Sequence, residues 1–245
     1  MLFVGVDLGT SAVKLLLMDE NGKIKNIESK EYPLYFPHPG WSEQKPEDWF
    51  AQSMEGLKEL LEGFDKDQVK GISFGGQMHG LVALDKEDQV IRPAILWNDG
   101  RTTKQTDYLN QVIGKEKLSE YTANIAFAGF TAPKILWMKE NEPENFAKIE
   151  KIMLPKDYLA YRLSGSFCTE YSDAFKVPTT SQLSYSFGSC ASVIPQISSR
   201  TWRIRGCKSN CRSRGQCGGS SWNGNSRRRR LQYFSRNFRD TLYFQ

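Results

Sequence analysis

Leu2-Phe3-Val4-Gly5-Val6-Asp7-Leu8-Gly9-Thr10-Ser11-Ala12-Val13-Lys14-Leu15-Leu16-Leu17-Met18 sets two apolar runs around a short polar turn. Leu2–Val6 has the length and composition of a buried strand, and Val13–Met18 reads as a second. Gly9 permits a tight turn between them. The turn carries one carboxylate, two hydroxyls and backbone N–H groups. Such a turn can cradle a phosphate with its N–H groups and hydroxyls, while the carboxylate of Asp7 holds Mg²⁺ or faces a transferring phosphoryl group. An ordinary polar hairpin satisfies the same five residues, so the rest of the chain has to discriminate.

The 245 residues can bury a sizeable core, as one large domain or two small ones. The net charge of +5 conceals two unlike segments. Residues 1–174 hold 20 Lys and Arg against 27 Asp and Glu, a net of −7, whereas residues 175–245 hold 13 against the single Asp240, a net of +12. Four of the five cysteines, Cys190, Cys207, Cys211 and Cys217, also lie in the second segment. Cys168 alone in the first suits a reducing cytoplasm, which is the expected location. No apolar stretch approaches membrane-spanning length and no signal peptide precedes the first strand, so no membrane association is expected.

The first segment has globular patterning. Asp19-Glu20-Asn21-Gly22-Lys23 is a hairpin turn, and Ile24–Tyr32 reads as a third strand. Pro46-Glu47-Asp48 opens a helix with proline at its start and acids in its first turn. Its apolar positions carry it to about Glu62. Val69–Phe74, Leu81–Leu84 and Ala94–Trp97 read as strands; from Thr103 the periodicity is helical, and a last helix begins near Leu154–Leu159. The result is an α/β mixture with an antiparallel start. Beyond Phe175 no helical or strand period is sustained, and Arg227-Arg228-Arg229-Arg230 is a bare charge run. Composition alone allows a disordered basic tail, a nucleic-acid-binding arm, or a stretch that is not an evolved sequence.

Two further clusters carry polar groups at strand ends. In Gly75-Gly76-Gln77-Met78-His79-Gly80 the glycines let a ligand approach the backbone, Gln77 and His79 offer donors and acceptors for hydroxyl groups, and Met78 offers an adaptable apolar wall. A structural histidine accounts for the same residues. Trp97-Asn98-Asp99-Gly100-Arg101-Thr102 is either a turn satisfied by its own Asn and Asp side chains or a hydroxyl-binding loop beside the first. Cys207, Cys211 and Cys217 have no following histidine and fit no usual zinc spacing, so no metal site is assigned.

Taken together, Asp7–Ser11, Gly76–Gly80, Leu96–Thr102, Leu154-Pro155-Lys156-Asp157-Tyr158 and Thr169-Glu170-Tyr171-Ser172-Asp173-Ala174 stand in the order and approximate spacing of the FGGY family of carbohydrate kinases. The resemblance runs continuously over residues 1–174, and the Gln-Met-His-Gly and Trp-Asn-Asp elements point to its xylulose branch. It implies a ribonuclease-H-like, actin-like fold of two domains, of which residues 1–174 are an incomplete first domain, and residues 175–245 no native domain. It implies ATP-dependent phosphorylation of D-xylulose in xylose catabolism, with ATP and Mg²⁺ as cofactors and a small sugar as partner rather than nucleic acid. By resemblance Asp7 lies near Mg²⁺ and the γ-phosphate, Thr10 and Ser11 belong to the phosphate loop, Met78 and His79 contact the sugar, and Asp99 helps shape that pocket. The family's catalytic base is an aspartate in a later Gly-Asp-Asn-Ala-Ala motif, which these 245 residues do not contain. The chain as written is therefore expected to be inactive or nearly so; a non-catalytic sugar-binding fragment, or polyanion binding through the basic tail, are the other readings.

The genetic code supplies a test of the tail. Gly215–Gly224 can be written GGA CAA TGC GGC GGC AGC AGT TGG AAC GGN; dropping the first base gives Asp-Asn-Ala-Ala-Ala-Ala-Val-Gly-Thr. Leu231–Phe244 treated likewise can give Cys-Asn-Ile-Ser-Leu-Gly-Thr-Ser-Gly-Thr-Leu-Tyr-Ile-Ser. Both products resemble missing family motifs, in the right order. Residues from about Arg200 onward are thus expected to be a frameshifted reading of the gene, with the point of departure somewhere between 174 and 200.

Overall fold

The computed structural model describes residues 1–165 except 123, together with 167 and 169. The tail, its cysteines and its charge run lie outside the described residues.

Strands β1 (Leu2–Leu8), β2 (Ala12–Asp19) and β3 (Ile24–Glu31) follow one another in antiparallel register, with Leu2 opposite Asp19 and Ala12 opposite Glu31. The Asp19 carboxylate accepts from the N–H groups of Asn21 and Lys23 and so closes the Asn-Gly hairpin anticipated there. β4 (Glu43–Gln44) comes next, then helix α1 (Pro46–Leu60), then β5 (Val69–Gly76), which returns to pair with β1 in parallel. The four-stranded sheet has the order β3-β2-β1-β5. Three antiparallel strands and a fourth laid parallel to the first is the ribonuclease-H-like arrangement expected from the sequence.

Alternation explains which face is covered. Val4, Val6 and Leu8 of β1 and Val13, Leu15 and Leu17 of β2 point to one side, all of them buried, against Trp49, Leu57 and Leu60 of α1. Each such fully buried aliphatic or aromatic side chain contributes roughly 1.5–3 kcal/mol. β3 is an edge strand whose residues are exposed or half-buried, in keeping with its Lys and Glu content.

The remaining elements build a second, smaller core. β6 (Val82–Leu84) pairs with β8 (Lys151–Met153), and β4 with β7 (Ala94–Ile95). Along β6 the period of two serves both cores: Val82 and Leu84 face the main one, while Leu81 and Ala83 join Ile95, Trp137 and Met138 in the other. Helices α2 (Thr103–Tyr108) and α3 (Lys115–Thr122) flank a π-helical stretch at Leu109–Gly114. α4 (Thr131–Asn141) delivers Trp137 and Met138, α5 (Pro143–Ala147) follows, and α6 (Pro155–Ser164) lies against α1, β1 and β5. Among the described residues no helix is long and apolar enough to cross a membrane, and no three His, Cys, Asp or Glu side chains gather as metal ligands.

Candidate functional site

The parallel register of β1 and β5 sets Asp7 opposite Gly75 and Leu8 opposite Gly76. Both strands end at one edge, so the turn after β1 and the segment after β5 meet there. The Gln77 N–H donates to the Leu8 carbonyl (2.7 Å) and fixes the contact.

Within the turn, Gly9 donates its N–H to the Ala12 carbonyl (3.0 Å). A Cβ at this position would stand 2.8 Å from that same oxygen, so close approach, rather than a left-handed backbone, requires glycine. Gly9's N–H is therefore engaged inside the turn and cannot serve a phosphate. The carbonyls are drawn inward. Gly9 O accepts from the Tyr32 hydroxyl, Thr10 O from Gln44 Nε2 (2.7 Å), and Ser11 O from the Tyr32 N–H (3.3 Å). A trans peptide opposes its C=O and N–H, so pulling the Gly9 and Thr10 carbonyls into the protein turns the Thr10 and Ser11 N–H groups outward. Burial, and then the charge of Asp7, push the Tyr32 phenol well above its ordinary range and keep it a donor. Asp7 itself is half-buried, and a Cβ at Gly75 would lie 4.0 Å from its Oδ1, in ordinary van der Waals contact.

Gln44 is the hub of this frame. Fully buried, it donates to Thr10 O and Pro33 O and accepts from Trp49 Nε1 (3.1 Å) and Gln77 Nε2 (3.1 Å). Gln77 is thereby committed to the scaffold: its amide nitrogen serves Gln44 and Gly9 O, not a ligand hydroxyl as its sequence context suggests. Met78 and His79, half-buried, follow it into the open. His79 sits at φ 63°, a left-handed conformation that costs an L-residue about 1–2 kcal/mol and has to be imposed by its surroundings. Its ring stacks on Phe130 (4.4 Å between centroids), which in turn touches Phe127 (5.0 Å).

The third cluster closes the site. Trp97, 45 % exposed, donates its indole N–H to Thr10 Oγ1 (3.0 Å), linking it to the turn after β1. Asp99 behaves differently from a ligand-facing carboxylate. It is buried, Oδ2 accepts from the Ser42 N–H (2.6 Å) and Arg101 Nη2 (2.7 Å), and Oδ1 from the Arg101 N–H and Nε. It holds its own loop. Arg101 also pairs with Glu43 (2.7 Å) and lies over Trp41, while Arg92 bridges Glu43 and Glu142. Gly129 fits beneath Trp97, where a Cβ would come within 2.3 Å of the Trp97 carbonyl.

The sequence alone points to Asp7, Thr10, Ser11, Met78 and His79, and all five lie on the segments that meet at this edge. It does not point to Gln44, Tyr32 or Lys134. A buried glutamine, tyrosine or lysine has no local signal, because the bond that ties each to the site spans 23 to 55 residues of chain: Tyr32 to Gly9, Gln44 to Thr10 and Lys134 to His79.

A polar turn at the end of β1, flanked by a glycine-bordered polar segment at the end of β5, on a ribonuclease-H-like sheet, is the architecture of a sugar-kinase N-terminal domain. The chain belongs to the FGGY family of carbohydrate kinases: the model of that family's N-terminal domain matches residues 2–182. Curated relatives include a xylulose kinase of Bacillus subtilis, 50% identical over 173 residues, covering 70% of this chain and 34% of the relative. Another is the xylulose kinase of Lactococcus lactis, 49% identical over 174 residues with the same coverage. Among solved structures, a xyloylose kinase from Brucella ovis superimposes with a TM-score of 0.68 at 41% identity, covering 72% of this chain and 37% of that one. A xylulose kinase from Rhodospirillum rubrum gives 0.69 at 26%, covering 72% and 36%. The chain thus spans about a third of the length of the curated relatives it matches.

Proposed function

We propose that the gene encodes a kinase that transfers the γ-phosphoryl group of ATP to D-xylulose, giving D-xylulose 5-phosphate and ADP, and that residues 1–174 are its sugar-binding and first phosphate-binding half. The observation that carries this reading is the frame that joins the two segments: Gln44 donates to Thr10 O and accepts from Gln77, the residue that leads into Met78 and His79, while Trp97 donates to Thr10 Oγ1. In this reading Met78 and His79 contact the sugar, Thr10 and Ser11 bind phosphate oxygens, and Asp7 holds Mg²⁺ or faces the phosphoryl group. The residues suit those roles by their chemistry: a half-buried carboxylate beside a side-chain-free Gly75, and a turn whose Gly9 and Thr10 carbonyls are already taken by Tyr32 and Gln44. ATP supplies the phosphoryl group; transfer then depends on positioning and charge stabilisation. The names of the relatives support the choice of sugar. The sugar's attacking hydroxyl still needs a base, and the family's Gly-Asp-Asn-Ala-Ala aspartate is not among these 245 residues. With permitted codons the tail, read one base later, can give sequences resembling that motif and a second Leu-Gly-Thr-Ser-Gly loop, and such a shift would account for its arginine content without a polyanion-binding role.

Calorimetric titration of D-xylulose into the 245-residue chain tests the sugar site. Saturable heat that His79→Ala abolishes is expected; no saturable heat, or heat indifferent to His79→Ala, overturns the assignment.

A further inference from the structure

Lys134 stands one turn into α4 with none of its surface exposed. Among the described residues it forms no ion pair. Its Nζ donates to two main-chain carbonyls, His79 O (2.8 Å) and Gly129 O (2.5 Å), and Thr131 Oγ1 is a second donor at His79 O (3.2 Å). The two carbonyls belong to particular residues: His79 carries one ring of the stacked pair and sits at φ 63°, and Gly129 immediately precedes Phe130, which carries the other ring. Both halves of the stack therefore hang from one amine. Filling this volume would need only a methionine or leucine, without the cost of burying an amine; what the lysine alone adds is the pair of directed hydrogen bonds.

We propose that Lys134 is the positioning residue of the sugar-recognition segment: by gripping the His79 and Gly129 carbonyls it imposes the left-handed backbone at His79 and seats the His79 ring on Phe130, presenting Met78 and His79 to the sugar. The last clause rests on the sugar-site reading above; the grip itself does not.

The chain contains two histidines, His38 and His79, so ring-proton NMR of the full 245-residue protein isolates the readout. Stacking on Phe130 displaces the His79 ring signals upfield in the wild type. Lys134→Met is expected to return them toward the position of a free imidazole while leaving those of His38 in place. Thr131→Val, which removes the weaker donor to the same carbonyl, is expected to move them in the same direction by less. A folded Lys134→Met protein with unmoved His79 signals overturns the proposal; where that variant does not fold, unmoved signals in Thr131→Val overturn it. Adding D-xylulose separates the two readings. A wild-type His79 shift on titration supports the sugar site, and Lys134→Met then raises the half-saturating concentration about tenfold through lost pre-organisation. Absence of any sugar-induced shift rejects the sugar site while the ligand-free spectra still decide the grip.

Discussion

At Arg101 a nearly buried guanidinium is held by Asp99 and Glu43 and covered by Trp41 at 3.7 Å. Removing one member of such a group strands the others without solvent, at a cost of about 3–5 kcal/mol. Arg101→Met is accordingly expected to lower stability by that amount in urea denaturation of the full chain; a loss below about 1 kcal/mol, the scale of exposed pairs, would contradict the network's burial. Lys134 gives a signature of a different kind. Burial pulls its ammonium down to about 7, against an opposing pull from the charge of Asp99. An unfolded lysine titrates near 10.4, so between about pH 7 and 10 the unfolded chain binds a proton that the folded chain lacks. Raising pH through that window favours the folded state, by up to about 1.4 kcal/mol per pH unit. The wild type is expected to gain stability over Lys134→Met from pH 7 to 9, and parallel stability curves would refute this. At this scale the sequence speaks through motif residues such as Asp7 and Thr10. It is silent on Gln44, whose role depends on partners that only folding assembles.

Among the elements, those set by local pattern were legible. The hairpin of β1 and β2, the proline-initiated α1 and the strand leading into Gly75-Gly76 follow from alternation, helical period and glycine placement. Tertiary context set the rest. β4 and β8 are two and three residues long, too short for any period, and exist because β7 and β6 offer them partners. The strand read at Ala94–Trp97 stops at Ile95, freeing Trp97 to turn toward Thr10. The loop under Trp97 is equally a matter of fit. Gly129→Ala forces a Cβ against backbone rather than against a side chain that could rotate away, so a loss of about 1–3 kcal/mol is expected. Thermal unfolding of that variant checks it; an unchanged midpoint would show that the Phe127–Phe130 loop does not depend on this contact.

For the whole molecule, the chain spans about a third of the length of its relatives, and the proposed function makes residues 1–174 one part of a clamp. The family match ends at residue 182, inside the basic segment, and the match to the relatives covers about a third of their length. The proposed shift of reading frame has a definite consequence for the gene. The nucleotide sequence through the codons for residues 200–245 is expected to carry an open +1 frame encoding Asp-Asn-Ala-Ala and Leu-Gly-Thr-Ser-Gly, and stop codons there would end it. That Asp7–Ser11 and Met78–His79 serve phosphoryl transfer to D-xylulose once the missing half is supplied is tested by a coupled ADP-release assay with D-xylulose and ATP. The frame-restored protein is expected to turn over, to lose at least about 100-fold on Asp7→Asn, and to contrast with a 245-residue chain that shows no ordinary turnover. A restored, folded protein that leaves D-xylulose unphosphorylated, or a 245-residue chain that phosphorylates it at an equal rate, would contradict the account.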